Sequence, residues 1–202
     1  MKFETVIFDL GGVLIDWEPR RLYRKIFDKE EEMEFFLNNI CTSAWNVEQD
    51  AGRPLAEATQ ILVDQHPEWA SQIEAFYGRW EEMLGGAIQP TVDILNELVN
   101  ARTHRIYALT NWSAETFPVA LRDFSFLQLF EGILVSGEEK MRKPFREIYE
   151  LICNRYAINP STAIFIDDSL KNVEGCEEIG MKGIHFQSSD QLRGELESLG
   201  IL

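Results

Sequence analysis

Val6-Ile7-Phe8-Asp9-Leu10-Gly11-Gly12-Val13-Leu14-Ile15-Asp16-Trp17 sets a short β-branched and aromatic run directly before an aspartate, then two adjacent glycines. A run this short and this apolar predicts a strand buried on both faces, at the centre of a parallel sheet. Asp9 then stands at the carboxyl end of that strand, where open α/β sheets place their ligands. A carboxylate there is costly to bury unless a cation or hydrogen-bond donors meet it. The two glycines let the backbone turn sharply and come close to a ligand. Asp9 reads as a nucleophile, a role that needs partners from elsewhere in the chain.

Those partners come from the second half. From Gln89-Pro90 onward, helical and strand patterns alternate. Arg105–Thr110, Gly132–Val135, Ala163–Asp168 and Gly183–Phe186 read as strands. Helices are predicted over 91–101, 145–156, 171–179 and 191–199. Such alternation implies a parallel sheet layered by helices. Pro19 to Leu84, by contrast, contains no convincing strand and carries four apolar sets at helical spacing. They are Leu22, Ile26 and Phe27; Phe35, Phe36 and Ile40; Leu55, Ala58, Ile61 and Leu62; and Ile73, Phe76, Tyr77 and Trp80. The fold class is therefore α/β: a Rossmann-like core from residues 1–17 and 88–202, with an all-helical cap of about four helices inserted at 18–87.

Composition narrows the partners. With 34 acidic against 19 basic residues the net charge is −15. Such a surface repels nucleic-acid backbones and anionic lipid heads, so neither nucleic acid nor membrane is expected as a partner. An anionic substrate must be drawn in by a metal or by a few placed basic groups. Cys41, Cys153 and Cys176 are widely spaced and form no CxxC pair, which fits buried thiols in a reducing compartment. No leader pattern or membrane-length apolar run is seen, and a cytoplasmic protein, monomeric or weakly dimeric, is expected.

Asp9, Thr110-Asn111, Lys143 and Asp167-Asp168 all fall at the same edge of a parallel sheet. Carboxylates from different strands suit Mg²⁺, which takes oxygen ligands. Thr110 and Asn111 offer neutral donors for phosphate oxygens, and Gly12 is counted with them for its close backbone approach. Lys143 brings a compact positive charge that can hold a phosphate and steady a carboxylate. The set describes phosphoryl transfer onto Asp9, an aspartyl-phosphate chemistry acting on a small phosphorylated metabolite.

On these residues the sequence resembles the haloacid dehalogenase-like (HAD) hydrolase superfamily with a type-1 cap. Val6-Ile7-Phe8-Asp9 matches the first motif of that family, Leu109-Thr110-Asn111 the second, Met141-Arg142-Lys143-Pro144 the third, and Phe165-Ile166-Asp167-Asp168 with Asn172 the fourth. The resemblance implies that Asp9 is nucleophile and magnesium ligand, joined on the metal by Asp168 and the Gly11 backbone carbonyl. It implies that Thr110 binds the phosphoryl group, with Lys143 as the motif lysine and Asp167 and Asn172 behind the metal ligands. Met141–Pro144, Ile148-Tyr149 and the cap stretch Trp45–Gly52 look like the branch of bacterial α-D-glucose-1-phosphate phosphatases and epoxide hydrolase phosphatase domains. A sugar phosphate, such as an anomeric hexose phosphate, is the substrate this implies.

One position departs from the family pattern. Most of its phosphatases carry a second aspartate two residues after the nucleophile, as general acid and base; here that position is Gly11. Cap residues Asp50 and Glu48 are candidates to supply the missing proton. Two alternatives follow: a metal-independent haloacid dehalogenase, against which the Asp167-Asp168 pair speaks, and a phospholigand-binding module with weak turnover. Gly11-Gly12 lacks the third glycine of a dinucleotide fingerprint. Asp16 either serves the site or only hydrogen-bonds the turn. Trp45 and Trp80 are expected in the cap core. His66, His104 and His185 form no ligand-like cluster, and Glu30-Glu31-Glu32 reads as a solvated helix face.

Overall fold

A computed structural model describes residues 3–202. In chain order it contains β1 (Thr5–Phe8), β2 (Ile15–Trp17), α1 (Arg20–Tyr23), α2 (Glu30–Asn39), α3 (Ser43–Asp50), α4 (Leu55–Gln65) and α5 (Ala70–Gly78). Then come β3 (Leu84–Ala87), α6 (Gln89–Ala101), β4 (Arg105–Thr110), α7 (Phe117–Asp123), β5 (Gly132–Val135) and α8 (Ser136–Glu139). α9 (Arg146–Tyr156), β6 (Ala163–Asp167), α10 (Leu170–Glu177), β7 (Lys182–His185) and α11 (Ser189–Ser198) complete the chain.

Five strands pair in the order β5-β4-β1-β6-β7, with every neighbour parallel, so β1 lies at the centre. All four residues of β1 and all five of β6 are buried, as expected for strands covered on both faces. Their side chains alternate between two cores. Val6 and Phe8 join Ile106, Ala108, Ile164 and Ile166 beneath α6 and α11. Ile7 joins Tyr107, Leu109 and Phe165 against α9 and α10. The period of two along each strand thus divides one apolar run between two layers.

The segment 20–83 is helical throughout its regular structure, with two 3₁₀ turns at Pro67–Trp69 and Trp80–Met83 besides α1 to α5. Leu22, Phe36, Ile73 and Phe76 bury together and continue the same core as Val6 and Phe8. Two expected core residues face water instead: Phe35 is 52% and Ile61 42% exposed. Phe35 and Phe36 are adjacent, about 100° apart on a helix, so only one can follow the stripe that Met33 and Leu37 set. At the two ends of this segment β2 and β3, which were not among the expected strands, form an antiparallel pair, with Ile15 opposite Ala87. Asp16 on β2 forms an ion pair with Arg21. Cys41, Cys153 and Cys176 are free and buried. Among the described residues, no helix is long and apolar enough to cross a membrane.

Candidate active site

β4, β1 and β6 are neighbours, so the residues at and just beyond their carboxyl ends meet at one edge. Asp9, 6% exposed, accepts a hydrogen bond at Oδ1 from the Leu10 backbone N–H at 2.7 Å, and the same oxygen lies 2.9 Å from Lys143 Nζ. Lys143 is buried. Its ammonium also donates to Asp167 Oδ2 at 2.6 Å and to the Leu109 carbonyl at 3.1 Å, so three oxygens meet its three N–H donors. Burial alone would lower the lysine pKa, but Asp167 and Asp9 outweigh it and hold the ammonium above its usual value. Asp167 Oδ1 accepts from the Ser169 backbone N–H at 2.8 Å and from the Asn172 amide at 2.9 Å. Asp167 is therefore a fixed counter-charge beneath the lysine.

Asp9, Asp167 and Asp168 each bring one carboxylate oxygen within 4.8 Å of the others. Burial pushes Asp9 up to about 8; Lys143 pulls it back, and Asp167 and Asp168 push it further. Asp168 is raised too, by burial and then by Asp167. Crowded carboxylate oxygens of this kind fit a hard divalent cation, whose charge removes the repulsion. His185, given no role from sequence, places Nε2 3.0 Å from the Asp168 backbone carbonyl.

Gly12 corrects its expected role. Its N–H donates to the Ile15 carbonyl at 2.9 Å, which closes the turn after β1, so this amide does not face a phosphate. What Gly12 provides is room. Its φ is +74°, and a Cβ built there would overlap the Asp168 carboxylate. Gly12→Ala should cost about 1–3 kcal/mol through backbone strain and push Asp168 aside, read as a lower melting temperature together with weaker Mg²⁺ binding.

Thr110 is buried, and its Oγ1 has no hydrogen-bond partner among the described residues. An orphaned buried hydroxyl costs about 1–3 kcal/mol, so its position at this edge fits an absent acceptor such as a phosphoryl oxygen. The Asn111 side chain donates to the Lys143 carbonyl at 3.1 Å and accepts from the Lys143 N–H at 2.9 Å. That two-point clamp fixes the lysine's backbone and uses one of the amide's two N–H donors.

Above the edge lies a cleft with Gly11 and Asn111 on its core side. Trp17, Tyr77, Trp80 and Trp112 form aromatic walls, with the Trp80 and Trp112 ring centroids 5.5 Å apart. Trp80 is buried and still lines the cleft, so its core packing shapes the site. Trp45 packs against Phe76 and Tyr77, with centroids 5.1 and 5.4 Å away. The sequence reading missed Trp17, Tyr77 and Trp112. They sit in three separate stretches that only the fold brings together, and no local spacing marks them.

An α/β core with carboxylates at its strand ends and a buried lysine against them, roofed by helices, defines a class of Rossmann-like hydrolases. The sequence model of haloacid dehalogenase-like hydrolases matches residues 3–180, and the chain belongs to that family. It is 29% identical over 201 residues to a sesquiterpene phosphatase of Aspergillus oryzae, covering 98% of this chain and 96% of that one. A phosphorylated carbohydrates phosphatase of Thermotoga maritima is 24% identical over 185 residues, covering 90% of this chain and 84% of the other. Among solved structures, a HAD family enzyme of Bacteroides thetaiotaomicron in complex with magnesium and inorganic phosphate superposes with a TM-score of 0.67 at 24% identity. That superposition covers 92% of this chain and 94% of the neighbour, and shows the shared fold.

Proposed function

We propose that the chain is a magnesium-dependent phosphatase that cleaves a small phosphorylated metabolite through an aspartyl phosphate on Asp9. The observation that carries this reading is the orphaned Thr110 hydroxyl at the edge where Asp9, Lys143 and Asp168 converge. Magnesium, held by Asp9, Asp168 and the Gly11 carbonyl, would supply the charge that offsets repulsion between the Asp9 carboxylate and a phosphate dianion. Asp9 attacks phosphorus. Thr110 donates to a phosphoryl oxygen, and Lys143, steadied by Asp167, Asn172 and the Asn111 clamp, holds Asp9 in line. The alcohol departs, and water then cleaves the acyl phosphate.

A sugar phosphate, such as an anomeric hexose phosphate, is the first substrate reading, supported by the carbohydrate phosphatase relative and the branch the motifs resemble. The four aromatic walls favour a second, a terpenyl phosphate, which agrees with the name of the Aspergillus relative. Phosphate release from both classes with Mg²⁺ decides between them by kcat/KM. EDTA should bring release to background and added Mg²⁺ should restore it. Turnover unaffected by EDTA, with halide released from a haloacid, would instead establish the dehalogenase alternative.

A further inference from the structure

Position 11 is a glycine, and a Cβ built on it meets nothing within 4 Å. The space a general acid would fill from the nucleophile's own loop is therefore open, and it belongs to the aromatic cleft. Asp50, the last residue of α3, lines the same cleft from the opposite, helical side. We propose that Asp50 is the general acid and base of this enzyme, donating its proton across the cleft to the leaving-group oxygen. This rests on the phosphatase reading above.

Asp50 is held there from several directions. Ser136 Oγ donates to its backbone carbonyl at 2.5 Å, tying the end of α3 to the start of α8. Gly52, at φ +93°, lets the chain pass against α8, where a Cβ would come 3.2 Å from the Gly137 carbonyl and 2.9 Å from Lys140 Cγ. The Ser113 backbone amide favours the ionised Asp50 carboxyl and so lowers its pKa. Glu48, the other acid expected near this point, is engaged elsewhere: it accepts from Arg142 at 2.9 Å and pairs with Arg53 at 3.5 Å. Only one of the two acids therefore faces the cleft.

The surroundings suit a proton donor. Burial pushes the Asp50 carboxyl up to about 7, while Lys143 and then Arg142 pull it down. The Tyr77 hydroxyl on α5 and the Asn46 amide one turn back on α3, 3.5 Å from Oδ2, face it without charge. A group titrating near neutrality is protonated often enough to give a proton and ionised often enough to take one. In the first step Asp9 forms its bond to phosphorus, the ester P–O bond breaks, and the Asp50 proton passes to the departing oxygen. In the second, water attacks phosphorus, its proton passes to the Asp50 carboxylate, and the P–O bond to Asp9 breaks.

The test compares an alkyl phosphate, whose leaving alkoxide needs a proton, with p-nitrophenyl phosphate, whose leaving group does not. The wild-type enzyme with Mg²⁺ must first release phosphate from both; if it releases none, the phosphatase reading itself has failed. Given that activity, Asp50→Asn should lower kcat/KM for the alkyl ester by about 10²–10⁴, with at most a few-fold change for the aryl ester. For wild type on the alkyl ester, kcat/KM should fall above pH ~7 as the acid loses its proton, and Asp50→Asn should remove that limb. Gly11→Asp, for which the structure leaves room, should restore part of the alkyl activity to the Asp50→Asn protein. Equal losses on both esters, or an unchanged pH limb, would reduce Asp50 to a structural residue and overturn the proposal.

Discussion

Asp9→Asn should reduce turnover by at least ~10³, the scale seen when a nucleophile is removed from an assembled site. The amide keeps the size and position of the carboxylate and can still meet the Leu10 N–H and Lys143, so the fold should persist. Stability gives a second readout. In metal-free protein, burial raises Asp9 from its usual 3.8 to about 8. Between those values the unfolded chain has released a proton that the folded chain retains, so this group costs stability as pH rises. The variant has no such cost. In EDTA it should melt at or above the wild-type temperature, with the gap widening from pH ~4 toward ~8. A full-rate variant would remove Asp9 from the chemistry, and a variant melting well below wild type would show that the ion pair outweighs the burial cost.

Lys143→Met should be the most damaging single change to the folded state. The lysine side chain is wholly buried and joins two carboxylates, and methionine fills its volume while leaving Asp9 and Asp167 without their cation. Removing one partner of a buried pair typically costs about 3–5 kcal/mol. In a chain of this size that amounts to a fall in melting temperature of roughly 6–20 °C. A thermal melt of the variant beside wild type checks this. A melt unchanged from wild type would mean that Asn172 and the Ser169 N–H hold Asp167 unaided.

Much of this was legible in the sequence because the informative residues lie at strand ends. Buried strands such as Val6–Phe8 and Ala163–Asp167 are continuous apolar runs, and a polar residue that ends one is conspicuous. The carboxylates and Thr110 were found that way; Lys143, in the loop between α8 and α9, was found through the Met141–Pro144 motif, and its ammonium reaches Asp9 and Asp167. What escaped depends on contacts between distant segments. β2 and β3 are too short, and too rich in Gly85 and Gly86, to show alternation, and they exist only because residues some seventy positions apart pair. The exposure of Phe35 reflects which side of α2 docks, and helical spacing leaves that undecided between neighbouring phenylalanines. The Gly12 N–H is taken by the Ile15 carbonyl, since a motif locates a residue without saying which hydrogen bonds its neighbours will claim. Asp50 and Glu48 were indistinguishable for the same reason until Arg142 was seen to take Glu48.

The pairing of β2 with β3 has a consequence for how such a protein can change over generations. Because Ile15 lies opposite Ala87, the polypeptide leaves the sheet and returns to it through a single doorway, about one strand spacing (~4.8 Å) wide. A loop closed at its base tolerates altered length cheaply, at about 0.6 kcal/mol per doubling. The helical segment is thus a cassette. Exchanging it for a relative's would replace the Tyr77 and Trp80 walls and the acid at the position of Asp50, while Trp17, Trp112, Asp9, Thr110, Lys143 and Asp168 stayed in place. Half of the cleft's aromatic wall would be inherited through one segment, and cleavage at phosphorus through the other.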